Sequence, residues 1–126
     1  MTARIVIADD DADIRALVRI SAVRAGFDVV AEVGDGDAAI AAVHEFVPDL
    51  ALLDVSMPGL SGIEVCTAVR ADPALDSVRI LLLSAAVGEA SMASGLAAGA
   101  TAYLSKPFSP RDLAASLIEL LGEDAS

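Results

Sequence analysis

The chain has 126 residues, 56% of them hydrophobic but only 3% aromatic, so it can bury a core without disulfides, built from Val, Leu, Ile and Ala. A formal net charge of −11 repels phosphate backbones and anionic lipids, which argues against direct nucleic-acid or membrane binding. The one cysteine, Cys66, cannot pair internally, and the apolar start of the chain is broken at Asp9-Asp10-Asp11 too early for a signal peptide or a span. The expected setting is the cytoplasm.

Short apolar runs alternate with helix-period segments along the whole chain. The runs are Arg4–Ala8, Val29–Val33, Leu50–Leu53, Val78–Leu83 and Ala102–Leu104. They are continuous rather than alternating, as strands buried on both faces of a parallel sheet should be. After the first run, Ile14, Leu17, Val18 and Ser21 share one helical face, and Gly26 closes that helix. Ala39, Val43 and Phe46 make the second face, with Pro48 ahead of the third strand. Val65, Ala68 and Val69 make the third, and Gly99 precedes the fifth strand. The last helix starts at Ser109-Pro110, places Leu113, Leu117 and Leu120 on one stripe, and stops at Gly122. The prediction is one α/β domain over residues 1–126: a doubly wound (βα)₅ unit of the flavodoxin-like kind, with helices on both faces of five parallel strands. Residues 122–126 are either a tail or the start of a linker.

In such folds chemistry gathers at the carboxyl ends of the strands. The first strand ends in Asp9-Asp10-Asp11, the third in Asp54, the fourth in Ser84, and the fifth runs into Ser105-Lys106-Pro107. Carboxylates brought together there repel one another unless one is protonated or a cation sits among them. Hard oxygen donors of this kind suit Mg²⁺. A lysine and a hydroxyl on the same edge can hold the oxygens of a phosphoryl group.

The run Asp49-Leu-Ala-Leu-Leu-Asp54-Val-Ser-Met-Pro58-Gly-Leu-Ser-Gly62 resembles the phosphoacceptor segment of response-regulator receiver domains. Asp9-Asp10, Ser84-Ala85 and Tyr103-Leu-Ser-Lys106-Pro107-Phe108 match that family in order, over essentially the whole chain. The resemblance implies that Asp54 accepts a phosphoryl group from a histidine kinase or phosphotransfer protein. It further implies Mg²⁺ held by Asp10 and Asp54 directly, by Asp9 through water and by the Ser56 carbonyl. Lys106 would pair with a phosphoryl oxygen, aimed by a cis bond before Pro107. Ser84 would move onto the phosphoryl group and Tyr103 would turn inward after it, altering the surface offered to a downstream effector domain or protein. Pro58 and Gly62 would shape the loop that closes the site.

Other readings of the same residues are weaker. Asp9, Asp11 and Asp13 imitate the start of a calcium loop, but Ile14 stands where glycine is required and Ile20 where the bidentate Glu should be. Gly34-Asp-Gly36 lacks the third glycine of a dinucleotide fingerprint and reads as a turn before a helix. His44 falls on a solvated helix face, and Cys66 is a small buried hydrophobe. A haloacid dehalogenase-type phosphohydrolase would need an aspartate two residues after its nucleophile, where this chain has Ser56. A phosphorylation-independent pseudo-receiver would be expected to lack an acidic, hydroxyl or lysine position, and none is missing.

Two departures from the family pattern give expectations of their own. The segment Gly88-Glu-Ala-Ser-Met-Ala-Ser-Gly95-Leu-Ala-Ala is rich in poor helix formers, which predicts a marginal fourth helix remodelled by phosphorylation. It also has no Lys or Arg, so a dimer built on ion pairs there is not expected. Ala86, two residues after Ser84, cannot hydrogen-bond a hydrolytic water, which predicts a long-lived phosphorylated state.

Overall fold

The computed structural model describes residues 2–85 and 89–122, with the backbone alone at 89–91. Strands β1 (Arg4–Ala8), β2 (Asp28–Val33), β3 (Leu50–Asp54), β4 (Arg79–Ser84) and β5 (Ala102–Ser105) alternate with helices α1 (Ala12–Arg24), α2 (Gly36–Phe46), α3 (Gly62–Arg70), α4 (Glu89–Ala97) and α5 (Pro110–Leu121). All neighbouring strands are parallel, in the order β2-β1-β3-β4-β5. The winding therefore reverses beside β1, and the carboxyl ends of β1 and β3 meet at that switch point. This is the flavodoxin-like architecture that the alternating runs predict.

Strand side chains alternate between two cores even though the strands read as unbroken apolar runs. On one face Ile5, Ile7, Leu50, Leu52, Leu81 and Leu83 pack on Val18 and Ala22 of α1 and on Leu113 and Leu117 of α5. On the other, Val6, Ala8, Ala51, Leu53, Ile80 and Leu82 pack on Ala39 and Val43 of α2 and on Val65, Cys66 and Val69 of α3. Cys66 is buried as expected, its Sγ 3.4 Å from the Ala98 carbonyl, and burial pushes its thiol up.

Local chemistry sets the helix starts. Asp11 caps α1 by accepting from the Asp13 and Ile14 amides, and Asp35 caps α2 through the Ala38 amide. Ser61 with Glu64, and Ser109 with Asp112, form reciprocal capping boxes on α3 and α5. Two features fall outside the predicted elements, although Asp72-Pro73 offers a cap and a proline for the first. Residues Pro73–Leu75 form a 3₁₀ turn before β4, and Val47, not a glycine, takes the left-handed conformation that ends α2, at φ 41°.

Among the described residues, one buried side-chain polar atom is left over. Ser21 is 5% exposed, and its hydroxyl finds no hydrogen-bond partner among the described residues. An unmet buried hydroxyl is costly, and alanine is the better helix former. Ser21→Ala is therefore expected to stabilise the fold by about 1 kcal/mol, a melting temperature higher by about 4 °C. Thermal denaturation followed by circular dichroism checks this, and a lower melting temperature would show that the hydroxyl is bonded in solution.

Candidate functional site

The carboxyl edge of the sheet brings four chain segments together. Asp9 follows β1 directly and is fully buried, while Asp10 beside it is exposed. Asp54 is the last residue of β3 and is 4% exposed. One carboxylate oxygen from each of Asp9, Asp10 and Asp54 lies within 4.8 Å of the others. Lys106 enters from the far side. Its Nζ is 3.0 Å from Asp9 Oδ2 and 3.3 Å from Asp54 Oδ1, so one ammonium spans two buried carboxylates.

Backbone bonds fix these groups. The Asp9 amide donates to the Val33 carbonyl at 3.1 Å, and Asp9 Oδ1 accepts from the Asp11 amide at 2.9 Å. The Lys106 amide donates to the Ser84 carbonyl at 2.8 Å, which ties the end of β5 to β4. The bond between Lys106 and Pro107 is cis. Ser84 is buried at the end of β4, level with Ser105. Tyr103 is half-buried and packs against the core on the α2–α4 face.

Electrostatics follow from this burial. Desolvation raises the Asp54 carboxyl above the ordinary carboxylate range, the Asp9 charge raises it further, and Lys106 opposes both. Burial alone would lower the Lys106 ammonium, but the hydrogen bond to Asp9 and the charges of Asp54 and Asp9 leave it raised. Three carboxylates against one lysine leave a net negative site. That donor set, all hard oxygen and partly open to water at Asp10, fits a divalent cation such as Mg²⁺.

The loop between β3 and α3 forms the other wall. Asp10, Val55, Ser56, Met57, Pro58, Gly59 and Ser61 line an open cleft of about 500 Å³. Ser56 is exposed on it, and its amide reaches Asp54 Oδ1 at 3.4 Å. Gly62 closes the loop: its amide donates to the Val55 carbonyl at 3.0 Å. A Cβ there would collide with the Asp54 carbonyl oxygen and sit 2.9 Å from its carbon.

The structure thus gathers Asp9, Asp10, Asp54, Ser84 and Lys106 at one edge, with Ser56, Pro58 and Gly62 on the adjoining loop. Tyr103 stands one strand away, in register with Leu82 rather than with Ser84. Asp11 and Asp13 serve the α1 terminus instead. His44 is exposed, with Nδ1 3.5 Å from an Asp72 oxygen and far along α2 from the site. Ala86 lies outside the described residues, as do 123–126. Two neighbours have no signal in the sequence. Arg15 reaches back from α1 to hold the Asp9 carbonyl at 2.6 Å, and Gly36, in what reads as a plain turn, lies against the Leu60 backbone.

A doubly wound parallel sheet whose carboxyl edge holds clustered aspartates and a lysine defines a class of signalling domain. The sequence model described as "Response regulator receiver domain" matches residues 5–118. The chain belongs to that family, the receiver domains of two-component response regulators. It is 43% identical over 115 residues to the DNA-binding response regulator MtrA of Mycobacterium tuberculosis, a match that covers 91% of this chain and 49% of that protein. It is 38% identical over 117 residues to the phosphate regulon transcriptional regulatory protein PhoB of Pseudomonas aeruginosa, over 93% and 51% of the two chains. The chain spans about half the length of the curated relatives it matches. Among solved structures, the chemotaxis response regulator CheY4 of Vibrio cholerae superposes with a TM-score of 0.90 at 32% identity, over 95% and 99% of the two chains. The receiver domain of the Mycobacterium tuberculosis response regulator NarL superposes with a TM-score of 0.88 at 33% identity, over 94% of each. No described helix is long and apolar enough to cross a membrane.

Proposed function

We propose that the domain receives a phosphoryl group on Asp54 from the phosphohistidine of a histidine kinase or phosphotransfer protein, and changes its surface for a downstream partner. The observation that carries this reading is the Lys106 ammonium held between Asp9 and Asp54, with Asp10 in the same cluster. An Asp54 carboxylate oxygen attacks phosphorus in line, the P–N bond breaks, and its electron pair returns to the imidazole, which takes up a proton. Phosphoryl transfer asks the protein chiefly for position and for positive charge on the equatorial oxygens. Lys106 supplies part of that charge and turns from Asp54 to a phosphoryl oxygen as the acyl phosphate forms. Asp10, Asp54 and the Ser56 carbonyl would hold Mg²⁺, with Asp9 acting through water, and the bound ion would neutralise the remaining charge. Ser84 then donates its hydroxyl to the new dianion, and Tyr103 follows inward against the α2–α4 face.

The domain is read as a signalling module of the cytoplasm rather than an enzyme acting on external phosphoesters. Ser56 stands where a phosphohydrolase of this chemistry needs its general acid. With a net charge of −11 the domain itself is not suited to nucleic acid. Its output passes through an effector domain or protein, in keeping with relatives named as DNA-binding regulators.

Intact mass after incubation with acetyl phosphate and Mg²⁺ tests the reading. The parent is expected to gain one phosphoryl group, Asp54→Asn none, and removal of Mg²⁺ by EDTA should suppress the gain. If the parent stays unmodified, a phosphorylation-independent interaction module becomes the better account.

A further inference from the structure

Gly36 is the first residue of α2, in a turn whose sequence offers no chemistry. It is buried, and its φ lies outside the left-handed region where four other glycines sit. Backbone conformation therefore does not demand glycine there. Space does. A Cβ on residue 36 would lie 2.6 Å from Leu60 Cβ and 2.8 Å from the Leu60 carbonyl carbon, and would collide with the Leu60 carbonyl oxygen. The obstacle is mainly main chain, which no rotamer change can move aside.

Leu60 belongs to the β3–α3 loop that holds Ser56. Two further contacts join this loop to the start of α2. The Gly36 amide donates to the Pro58 carbonyl at 3.4 Å, and Asp37 Oδ2 lies 3.3 Å from where a Cβ on Gly59 would stand. The helix side of this contact is held. The start of α2 is fixed by the Asp35 cap at 2.8 Å and by Ala39 and Val43 in the core. Beyond the loop, Gly62 is bonded to Val55 and pressed on the Asp54 backbone. The segment from Val55 to Ser61 is thus clamped between two bare glycine Cα atoms. A push from residue 36 therefore shifts the loop on its exposed side, where Ser56, Pro58 and Gly59 line the open cleft shared with Asp10.

We propose that Gly36 is a positioning residue for the metal site, its missing side chain seating the β3–α3 loop, and Ser56 on it, beside the Asp9–Asp10–Asp54 cluster. This rests on the Mg²⁺-dependent phosphoacceptor reading above. Mg²⁺ demands near-ideal octahedral geometry with short ligand distances, so a loop displaced by a fraction of an ångström weakens binding without touching a ligand residue.

The test compares the parent, Gly36→Ala, and Gly26→Ala as a control for general destabilisation. Gly26 has φ +95° and open space around it, and it lies at the opposite edge of the sheet. Melting temperatures across a Mg²⁺ series give the dissociation constant through the linkage of binding to stability. Rates of phosphorylation by acetyl phosphate are read over the same series. Gly36→Ala is expected to weaken Mg²⁺ binding about tenfold, with a phosphorylation rate that approaches the parent's at saturating Mg²⁺. Gly26→Ala should lower the melting temperature and leave the Mg²⁺ constant unchanged. If Gly36→Ala melts too low to titrate, the series is repeated for all three proteins in trimethylamine oxide, which favours the folded state through solvent exclusion. A parent-like Mg²⁺ constant in Gly36→Ala overturns the proposal, whatever its melting temperature. If the parent neither responds to Mg²⁺ nor gains a phosphoryl group, the phosphoacceptor reading fails and this inference falls with it.

Discussion

Lys106→Met is expected to destabilise the metal-free protein by about 3 kcal/mol at neutral pH, a fall in melting temperature on the order of 10 °C. Methionine keeps the length and apolar character of the stem, so the change isolates the charge. Without the ammonium, Asp9 and Asp54 face each other with side chains 1% and 6% exposed, and a buried pair stripped of its cation is strongly destabilising. The lower end of the usual range applies because Lys106 itself is 19% exposed, so water can enter the gap. Mg²⁺ should restore much of the loss, since a cation bound only by the folded state stabilises it by mass action. Denaturation with and without Mg²⁺ measures both effects. A loss well under 1 kcal/mol, insensitive to Mg²⁺, would mean that another group neutralises the carboxylates.

Asp54→Asn is expected to abolish phosphoryl uptake and yet raise the melting temperature in EDTA at neutral pH by several degrees, on the scale of 1 kcal/mol or more. The sign follows from the titration of Asp54. Its folded pKa is raised, by burial first and by the Asp9 charge second, above the ordinary value of 3.8. Between those two values the folded protein binds more proton than the unfolded chain, so stability falls as pH rises. Above the folded value the penalty is complete, and asparagine never incurs it. The advantage of Asp54→Asn should therefore be near zero at a pH below 3.8, grow as pH rises and level off above the folded value. Removing the carboxylate also leaves Lys106 its bond to Asp9. Mg²⁺ should narrow the gap, because it binds the parent better. An Asp54→Asn protein less stable than the parent in EDTA across this range would show that the Lys106 contact outweighs the repulsion.

The site sits where function has been favoured over stability. Asp9 and Asp54 lie on strand ends whose other residues are among the most deeply buried in the molecule. A rigid floor of that kind holds the carboxylates together against their repulsion, which is what a cation or phosphoryl site requires.

Much of this was legible in the residues themselves. Continuous apolar runs marked buried parallel strands because a strand covered on both faces has no polar side to show. Ser109-Pro110 marked the start of α5 because a side-chain cap and a missing amide are local chemistry. Asp9, Asp54 and Ser84 could be placed on one edge because each directly follows such a run, and Lys106 because it comes one residue later. The fourth helix was harder. Its Gly95 is a poor helix former by sequence, but a Cβ there would lie 2.8 Å from Leu82 Cδ1 and 3.6 Å from Tyr103 Cδ2. At that position the helix lies close on the sheet.

The sequence by itself determined the element order, the handed (βα) winding and the edge on which the acidic and basic groups meet, because periodicity, capping and chain order are properties of neighbouring residues. Only the tertiary structure decided the rest. It put Arg15 on the Asp9 carbonyl, left the Ser21 hydroxyl unmatched, turned Val47 left-handed ahead of Pro48, and set Gly36 against Leu60. The Gly36–Leu60 contact joins segments that the chain order leaves far apart, and the others are side-chain and backbone placements that periodicity does not report; all are fixed only when the layers pack at once.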